Sequence, residues 1–171
     1  ARQNHARNLK TNRFTLALLP TGGGKSICFQ VPGMVLPGLC LVITPLIALM
    51  KDQVMHLKQK GIPAAAIYSG QHPNEIEIIY NHAVFGQLKF LYVSPERLVT
   101  ERFLAIITRL NINLIAVDES HCISQWGYDF RPPYLRIAEI RPYLPGVPVL
   151  ALTATATPMV VNDIQNKLLF R

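Results

Sequence analysis

The sequence has few of the features that mark membrane-spanning or disordered chains. Only 16% of its 171 residues are charged and half are hydrophobic, which excludes a disordered, solvated chain. No run of eighteen apolar residues is present, so no segment is long enough to cross a bilayer. The first thirteen residues are polar and basic, so we expect no secretory signal there.

Cysteine is also scarce. The three cysteines, Cys28, Cys40 and Cys122, are odd in number and too far apart in sequence to form a paired metal knuckle. The five histidines show no spacing that would place two of them on one helix face. We therefore expect buried, reduced thiols, no zinc in this segment, and a reducing intracellular location in the cytoplasm, nucleoid or nucleus.

Acidic residues are fewer than basic ones, ten against seventeen, which leaves a formal charge of +7. This balance favours polyanionic partners, because lysine and arginine neutralise phosphates and release their counterions. The opening segment contains four basic residues and no acid. A solvated basic end explains that segment equally well.

Short apolar runs recur along the chain and are separated by stretches long enough to hold a crossover helix. The runs are 15–19, 39–43, 64–68, 90–93, 114–117 and 149–152. This alternation predicts an α/β fold, a three-layer sandwich with a mainly parallel central sheet. We expect residues 1–171 to form one domain.

Three hydroxyl–proline pairs predict helix starts, since the hydroxyl can cap the helix and proline fits its first position. The pairs are Thr44–Pro45, Ser94–Pro95 and Thr157–Pro158. The helix after Thr44 should bury Met50, Val54 and Leu57 on one face and stop at Gly61.

A glycine-rich segment, TGGGKS, directly follows the first apolar run. Glycines let successive backbone N–H groups converge on one anion, Lys25 offers charge to the outer phosphates, and the Ser26 hydroxyl can join a magnesium shell. Leu19 stands where the strict pattern has glycine, and a plain turn before a helix is the alternative. The predicted phosphate-binding residues are Thr21, Gly22, Gly23, Gly24, Lys25 and Ser26.

A paired carboxylate, Asp118–Glu119, ends the run 114–117. A nucleotide hydrolase needs one carboxylate for magnesium and another group to orient the attacking water. The alternative is that two acids simply favour the positive start of the next helix. The run reads as a strand buried on both faces, which would place the carboxylates at the same sheet edge as the glycine-rich segment.

Five segments in the chain resemble the helicase motifs of the RecQ family, within superfamily 2, and they occur in that family's order. The segments are LLPTGGGKSICFQVP, VITPLIALMKDQV, LYVSPERL, AVDESHCISQWGYDF and LTATATP. The match runs from about residue 18 to residue 158. The block around Trp126 is peculiar to RecQ-like proteins.

This resemblance implies a RecA-like P-loop NTPase fold in which hydrolysis of ATP with Mg²⁺ drives movement along DNA. The implied activity is a DNA helicase that translocates 3′ to 5′ on single-stranded DNA and unwinds duplex DNA. The implied partner within the motor is a second RecA-like domain, which nothing in these residues matches, so the isolated chain should be weakly active.

The resemblance also implies roles for individual residues. The catalytic residues would be Lys25, Asp118 and Glu119, and the Mg²⁺ ligands would be Ser26 and Asp118. The residues that couple the nucleotide site to DNA would be His121, Thr153 and Thr155. The nucleic-acid-binding residues would be Pro45, Leu46, Ser94, Arg97, Trp126, Phe130 and Arg131.

Three positions depart from the family pattern near these motifs. Ser120 stands within the acidic box, Tyr128 stands where histidine is usual, and the adenine-reading glutamine would be Gln3 only with a shift of one residue. Leu19, Tyr128 and the unmatched second domain make a non-catalytic nucleic-acid-binding module with a vestigial nucleotide site an alternative. A small-molecule P-loop kinase is a third, disfavoured because Asp118–Glu119 suits water activation.

Overall fold

A computed structural model describes residues 14–20 and 24–170. Its core is a six-stranded sheet in the order β1-β6-β5-β2-β4-β3, and every neighbouring pair is parallel. The strands are β1 Thr15–Leu18, β2 Leu39–Ile43, β3 Ala64–Ile67, β4 Phe90–Val93, β5 Ile112–Val117 and β6 Val149–Thr153. All six predicted strands are confirmed, with ends that differ by at most two residues.

In the part of the chain that the structure describes, six α-helices connect or follow these strands. They are α1 Lys25–Val35, α2 Ile47–Gln59, α3 Pro73–Val84, α4 Glu101–Ile106, α5 Ile137–Ile140 and α6 Pro158–Lys167. Short 3-10 helices span Pro95–Val99, Ile107–Arg109, Ser120–Ile123, Pro132–Arg136 and Arg141–Tyr143. No helix within 14–20 or 24–170 is long and apolar enough to cross a membrane.

The helices cover both faces of the sheet, so the predicted three-layer sandwich is confirmed. On one face, α1 and α2 pack against alternate strand residues such as Val42 and Tyr92. On the other face, α3 to α6 pack against the intervening residues, such as Ile43 and Val93. This alternation follows from the period of two along a strand.

Because the strands are parallel, their carboxyl ends meet at one edge, which we call the rim. In sheet order the rim presents the segment after β1, then Thr153, Asp118, Thr44 and Ser94. The adjacent ends of β1, β6 and β5 thus place Leu18, Thr153 and the carboxylate pair side by side. The prediction that the carboxylate pair lies at the sheet edge where the first strand ends is confirmed.

One of the three predicted helix starts is wrong, and another is right only in position. Helix α2 begins at Ile47 with Leu46 as its N-cap, and the Thr44 hydroxyl makes no hydrogen bond. Ser94 precedes a 3-10 helix without capping it through its side chain. Thr157 does cap α6, since its hydroxyl accepts a 3.4 Å bond from Val160 N.

The end of α2 is as predicted. The helix stops at Gln59, and Gly61 adopts φ 75°, the left-handed conformation that favours glycine after a helix. The side chains of Met50, Val54 and Leu57 are buried.

Helix α1 lies unusually close to the sheet at Gly33. A Cβ added there would meet Phe90 Cε1 at 2.8 Å and Cys40 Cβ at 3.0 Å, and both of these side chains are fully buried. Helix α1 can therefore lie this close to β2 and β4 only because Gly33 has no side chain.

We expect Gly33→Ala to destabilise the protein by about 1–3 kcal/mol through overpacking. The direction of this change in stability is informative, because replacing glycine with alanine inside a helix ordinarily stabilises the helix by about 1 kcal/mol. Urea denaturation measures the change. Val31→Ala, on the exposed side of α1, serves as the control and should shift stability by no more than about 0.5 kcal/mol. A gain in stability for Gly33→Ala would contradict the close approach of α1.

Candidate active site

Helix α1 begins where the predicted phosphate loop ends. Gly24 precedes the helix with φ 72° and ψ 34°, a left-handed conformation that a residue without a side chain adopts at little cost. Lys25 and Ser26 are the first two residues of α1, whose amino end carries free N–H groups. Thr21, Gly22 and Gly23 lie outside the described residues, so their predicted phosphate contacts stay predictions.

Lys25 and Glu119 form the contact that joins the two predicted motifs. Lys25 Nζ donates a 2.8 Å hydrogen bond to Glu119 Oε1, although the residues are 94 positions apart in sequence. Both side chains are largely buried, with 17% and 20% of their surfaces exposed. The start of α1 and the end of β5 therefore share one small volume at the rim.

The backbone around the carboxylate pair is held from several directions. Asp118 N donates to Ile43 O at 2.9 Å, and Tyr134 donates its hydroxyl proton to Asp118 O at 2.9 Å. Glu119 itself has φ 48° and ψ 45°, in the left-handed region that costs a non-glycine residue about 1–2 kcal/mol. Such strain persists only where the surroundings enforce it.

Asp118 is buried, with 5% of its surface exposed. Burial and the neighbouring charge of Glu119 raise the pKa of its carboxyl, while Lys25 and the N–H of Glu119 oppose that rise. Lys25 forms its ion pair with Glu119, so two adjacent carboxylates share one ammonium group. The two carboxylates together therefore keep a net negative charge at a buried position, which favours a cation that prefers oxygen ligands.

His121 connects the carboxylates to β6. Its Nδ1 lies 2.7 Å from Thr153 Oγ1 and 3.5 Å from Glu119 Oε2. Burial lowers the pKa of this imidazole, which favours its neutral form. Since the Thr153 hydroxyl donates to Thr155 O at 3.3 Å, Nδ1 carries the ring proton and Nε2 accepts. The three residues predicted to couple the site to DNA thus form one hydrogen-bonded chain.

Residues 124–131 form the segment that we call the aromatic loop. Trp126 and Tyr128 are exposed over 68% and 75% of their surfaces, so the aromatic loop presents two large rings to solvent. Tyr128 stacks on the His121 ring at 4.6 Å between centroids. Phe130 is partly buried, and Arg131 donates to Asp129 Oδ2 at 3.2 Å.

Sequence reasoning missed how the aromatic loop is anchored. Ser124 is fully buried, and its hydroxyl donates a 2.7 Å bond to Asp163 Oδ2 on α6. Ser124 Oγ also accepts a 3.1 Å bond from Trp126 N. Neither this contact nor the Tyr134 bond to Asp118 has a local sequence signal, because their partners are 39 and 16 residues apart.

The other predicted DNA contacts lie on the rim at the ends of β2 and β4. Pro45 and Leu46 are partly and largely exposed, respectively. Ser94 is buried, so its side chain does not present to solvent, and Arg97 donates to Tyr68 O at 3.3 Å. Three polar atoms there have no hydrogen-bond partner among the described residues: Thr44 Oγ1, Ser94 Oγ and Arg97 Nε.

A family model described as "DEAD/DEAH box helicase" matches residues 2–164 of this chain. The chain belongs to the DEAD/DEAH box helicase family. The five segments that resemble helicase motifs all lie within the matched residues.

Curated relatives carry the similarity further within the family. The chain is 49% identical over 155 residues to "ATP-dependent DNA helicase RecQ" of Bacillus subtilis, covering 90% of this chain and 26% of that protein. It is 44% identical over 167 residues to "Probable ATP-dependent DNA helicase RecS" of the same organism, covering 97% and 33%. These similarities confirm the resemblance to the RecQ family. The chain spans about a quarter to a third of the length of these relatives.

Solved structures confirm the fold. The helicase domain of Hef from Pyrococcus furiosus superposes with a TM-score of 0.72 at 21% identity, covering 99% of this chain and 35% of that one. At this identity the likeness concerns the fold alone. The chain thus has the three-layer α/β sandwich that the apolar runs predicted.

We expect Asp163→Ala to loosen the aromatic loop, because Ser124 loses its hydrogen-bond acceptor. Trp126 is the only tryptophan, so its fluorescence reports the loop alone. Anisotropy should fall and quenching by iodide should rise in Asp163→Ala. Asp163→Asn retains an acceptor oxygen and should behave as wild type. Unchanged anisotropy and quenching in Asp163→Ala would show that the bond between Ser124 and Asp163 does not hold the loop.

Proposed function

We propose that this chain is the ATP-binding part of a RecQ-like DNA helicase motor, with ATP hydrolysed beside Lys25 and Glu119. The observation that carries the proposal is the 2.8 Å contact between these side chains, which joins a glycine-preceded helix start to a strand-end carboxylate pair. The names of the relatives, ATP-dependent DNA helicases, support ATP dependence and DNA as the substrate.

The phosphates of ATP would bind at the amino end of α1. Gly24 and the free N–H groups of the first helical turn favour an anion there, and Lys25 adds a positive charge. Thr21, Gly22 and Gly23 would complete this cradle. Lys25 would then exchange a carboxylate partner for phosphate oxygens.

The residues present fit a magnesium ion. Asp118 supplies a buried carboxylate that has no ion-pair partner of its own within residues 14–20 and 24–170, and Ser26 supplies a hydroxyl on the first turn of α1. When bound, the ion would neutralise charge that develops on the phosphate oxygens. Asp118 and Ser26 are the side chains that we propose hold it.

Glu119 would act as the general base. In the structure its Oε1 accepts the 2.8 Å hydrogen bond from Lys25 Nζ, so this oxygen is not available to a water molecule. Phosphate that draws Lys25 away frees Oε1 to accept a proton from water. The ion pair therefore keeps the base idle until nucleotide binds.

His121, Thr153 and Thr155 would relay the state of this site to the DNA-binding surface. His121 touches Glu119 through Nδ1 and the aromatic loop through its stacked ring, so a shift of Glu119 moves both. Trp126 offers an exposed face on which a base can stack, and Arg131 can pair with phosphate.

The rim at β2 and β4 would contact the DNA backbone. Pro45 and Leu46 precede the amino end of α2, and Ser94 precedes a 3-10 helix. The unpartnered Arg97 Nε and Ser94 Oγ are polar atoms that a phosphate could satisfy after a small side-chain movement. The resemblance to the RecQ family further implies that translocation runs 3′ to 5′ and that a second RecA-like domain closes over the nucleotide.

A non-catalytic nucleic-acid-binding module is the competing function. The Lys25–Glu119 ion pair favours this alternative, because the two side chains occupy each other in a site that would no longer bind nucleotide. The two functions differ in whether ATP can break this pair.

We expect Mg²⁺-ATP to raise Tm by several degrees, since a ligand at a hundredfold excess over its Kd stabilises the bound protein by about 2.7 kcal/mol. Lys25→Ala should abolish the shift, because it removes the charge at the start of α1. Lys60→Ala, at the far end of α2, is the charge-matched control. Differential scanning fluorimetry measures both. The vestigial-site alternative is supported instead if wild type shows no shift.

We expect Glu119→Gln to bind ATP at least as tightly as wild type while losing hydrolysis, because the amide frees Lys25 but cannot accept the proton. Binding is measured by calorimetry on this chain, and turnover in a protein that also contains the second domain. Glu96→Gln, an exposed acid of the 3-10 helix Pro95–Val99, is the control. Undiminished turnover in Glu119→Gln would remove Glu119 from its proposed role.

A further inference from the structure

Three side chains with metal-binding chemistry meet where the aromatic loop folds back on the turn after β5. They are His121, Cys122 and Asp129, and one ligand atom from each lies within 4.8 Å of the others. Cys122 Sγ is 3.7 Å from His121 Nε2 and 3.9 Å from Asp129 Oδ2. None of the proposed steps of ATP hydrolysis uses Cys122 or Asp129.

The backbone builds this cluster from only nine residues. His121 and Cys122 belong to the 3-10 helix Ser120–Ile123, and Arg131 N donates to Cys122 O at 2.8 Å, which closes the aromatic loop onto that helix. Gly127 permits the fold, since a Cβ there would lie 2.8 Å from His121 O. Asp129 is thereby returned to the side of Cys122.

The imidazole is oriented as a metal-binding histidine requires. Its Nδ1 is hydrogen-bonded to Thr153 Oγ1 at 2.7 Å, and Nε2 faces the sulfur. Metal-binding histidines almost always use their second ring nitrogen in such a bond, which fixes the tautomer and the ring plane. Tyr128 stacks on the ring and restrains it further.

Two of the three separations are close to those of a tetrahedral zinc site. With Zn–S near 2.3 Å and Zn–N near 2.0–2.1 Å, the sulfur and nitrogen ligands of one ion lie about 3.5 Å apart. The observed 3.7 Å and 3.9 Å to Cys122 need a contraction of a few tenths of an ångström, and the third separation, between His121 and Asp129, is no more than 4.8 Å and must close by up to about 1.4 Å. The open side of Asp129 allows that movement, because its side chain is 43% exposed.

We propose that His121, Cys122 and Asp129 bind a soft divalent cation of the zinc class, with water as a fourth ligand. A thiolate and an imidazole together select such an ion over Mg²⁺, which prefers oxygen ligands. Binding transfers the thiol proton of Cys122 to solvent as the S–metal bond forms. From the spacing of cysteine and histidine we expected no zinc in this segment. That spacing does not reveal that a loop brings the carboxylate of Asp129 beside Cys122.

Arg131 opposes the ion, because its guanidinium bonds the same Asp129 oxygen at 3.2 Å. The cation must displace it or use the other carboxylate oxygen. Arg131 therefore competes with the cation for the Asp129 carboxylate, and removal of Arg131 should strengthen metal binding.

A bound cation would fasten the aromatic loop to the turn that carries Glu119. This consequence rests on the proposed function, in which that loop transmits DNA binding to the nucleotide site. Zinc is then expected to suppress DNA-stimulated turnover while sparing ATP binding.

Cobalt(II) titration of the chelator-treated chain, without ATP or DNA, tests the site itself. We expect one equivalent to bind, with tetrahedral d–d absorption and a thiolate-to-cobalt charge-transfer band. Cys122→Ser should remove that band and weaken binding more than tenfold, since ligand loss should exceed the 10–100-fold cost of losing an outer partner. Cys28→Ser is the control and should retain the band.

Two exposed-loop variants keep the test decisive if Cys122→Ser unfolds. Asp129→Asn should weaken cobalt binding at least tenfold, and Arg131→Gln should tighten it severalfold. The site is refuted by the absence of a charge-transfer band in wild type, by its persistence in Cys122→Ser, or by no change in affinity in Asp129→Asn. Because no nucleotide is present, these outcomes are independent of whether the chain hydrolyses ATP.

Discussion

The ion pair between Lys25 and Glu119 is the interaction on which the site depends. It requires α1 to begin and β5 to end at the same rim, although the two elements are far apart in sequence. A parallel sheet with helices on both faces achieves this. The pair is mostly buried, so its attraction is screened less than that of a surface pair. Without this meeting, the glycine-rich segment and the carboxylates would be two unrelated turns.

The electrostatics of the rim follow from the same arrangement. Asp118 is buried beside a second acid, and the single ammonium group of Lys25 is bonded to Glu119. The site is thus prepared for additional positive charge near Asp118, while Lys25 is available to an anion that can compete with a carboxylate. His121 and Thr153 extend the network to β6, so a change at Glu119 can reach the aromatic loop.

The sheet and the carboxylate pair could be predicted because their signals are local. Apolar runs of strand length gave all six strands, and the position of Asp118 after a run buried on both faces placed it at the rim. The start of α2 was not predictable from Thr44–Pro45, because the rim backbone stays extended through Leu46. The anchoring of the aromatic loop was also missed, since Ser124 finds Asp163 only through tertiary packing.

A structure of this chain with Mg²⁺ and a non-hydrolysable ATP analogue tests the central claim most directly. Our account predicts that Lys25 Nζ leaves Glu119 for the phosphate oxygens, and that Ser26 and Asp118 approach one ion. Glu119 should then face the terminal phosphate. Nucleotide bound away from α1, or an unbroken Lys25–Glu119 pair with Ser26 and Asp118 too far apart to share an ion, would contradict it.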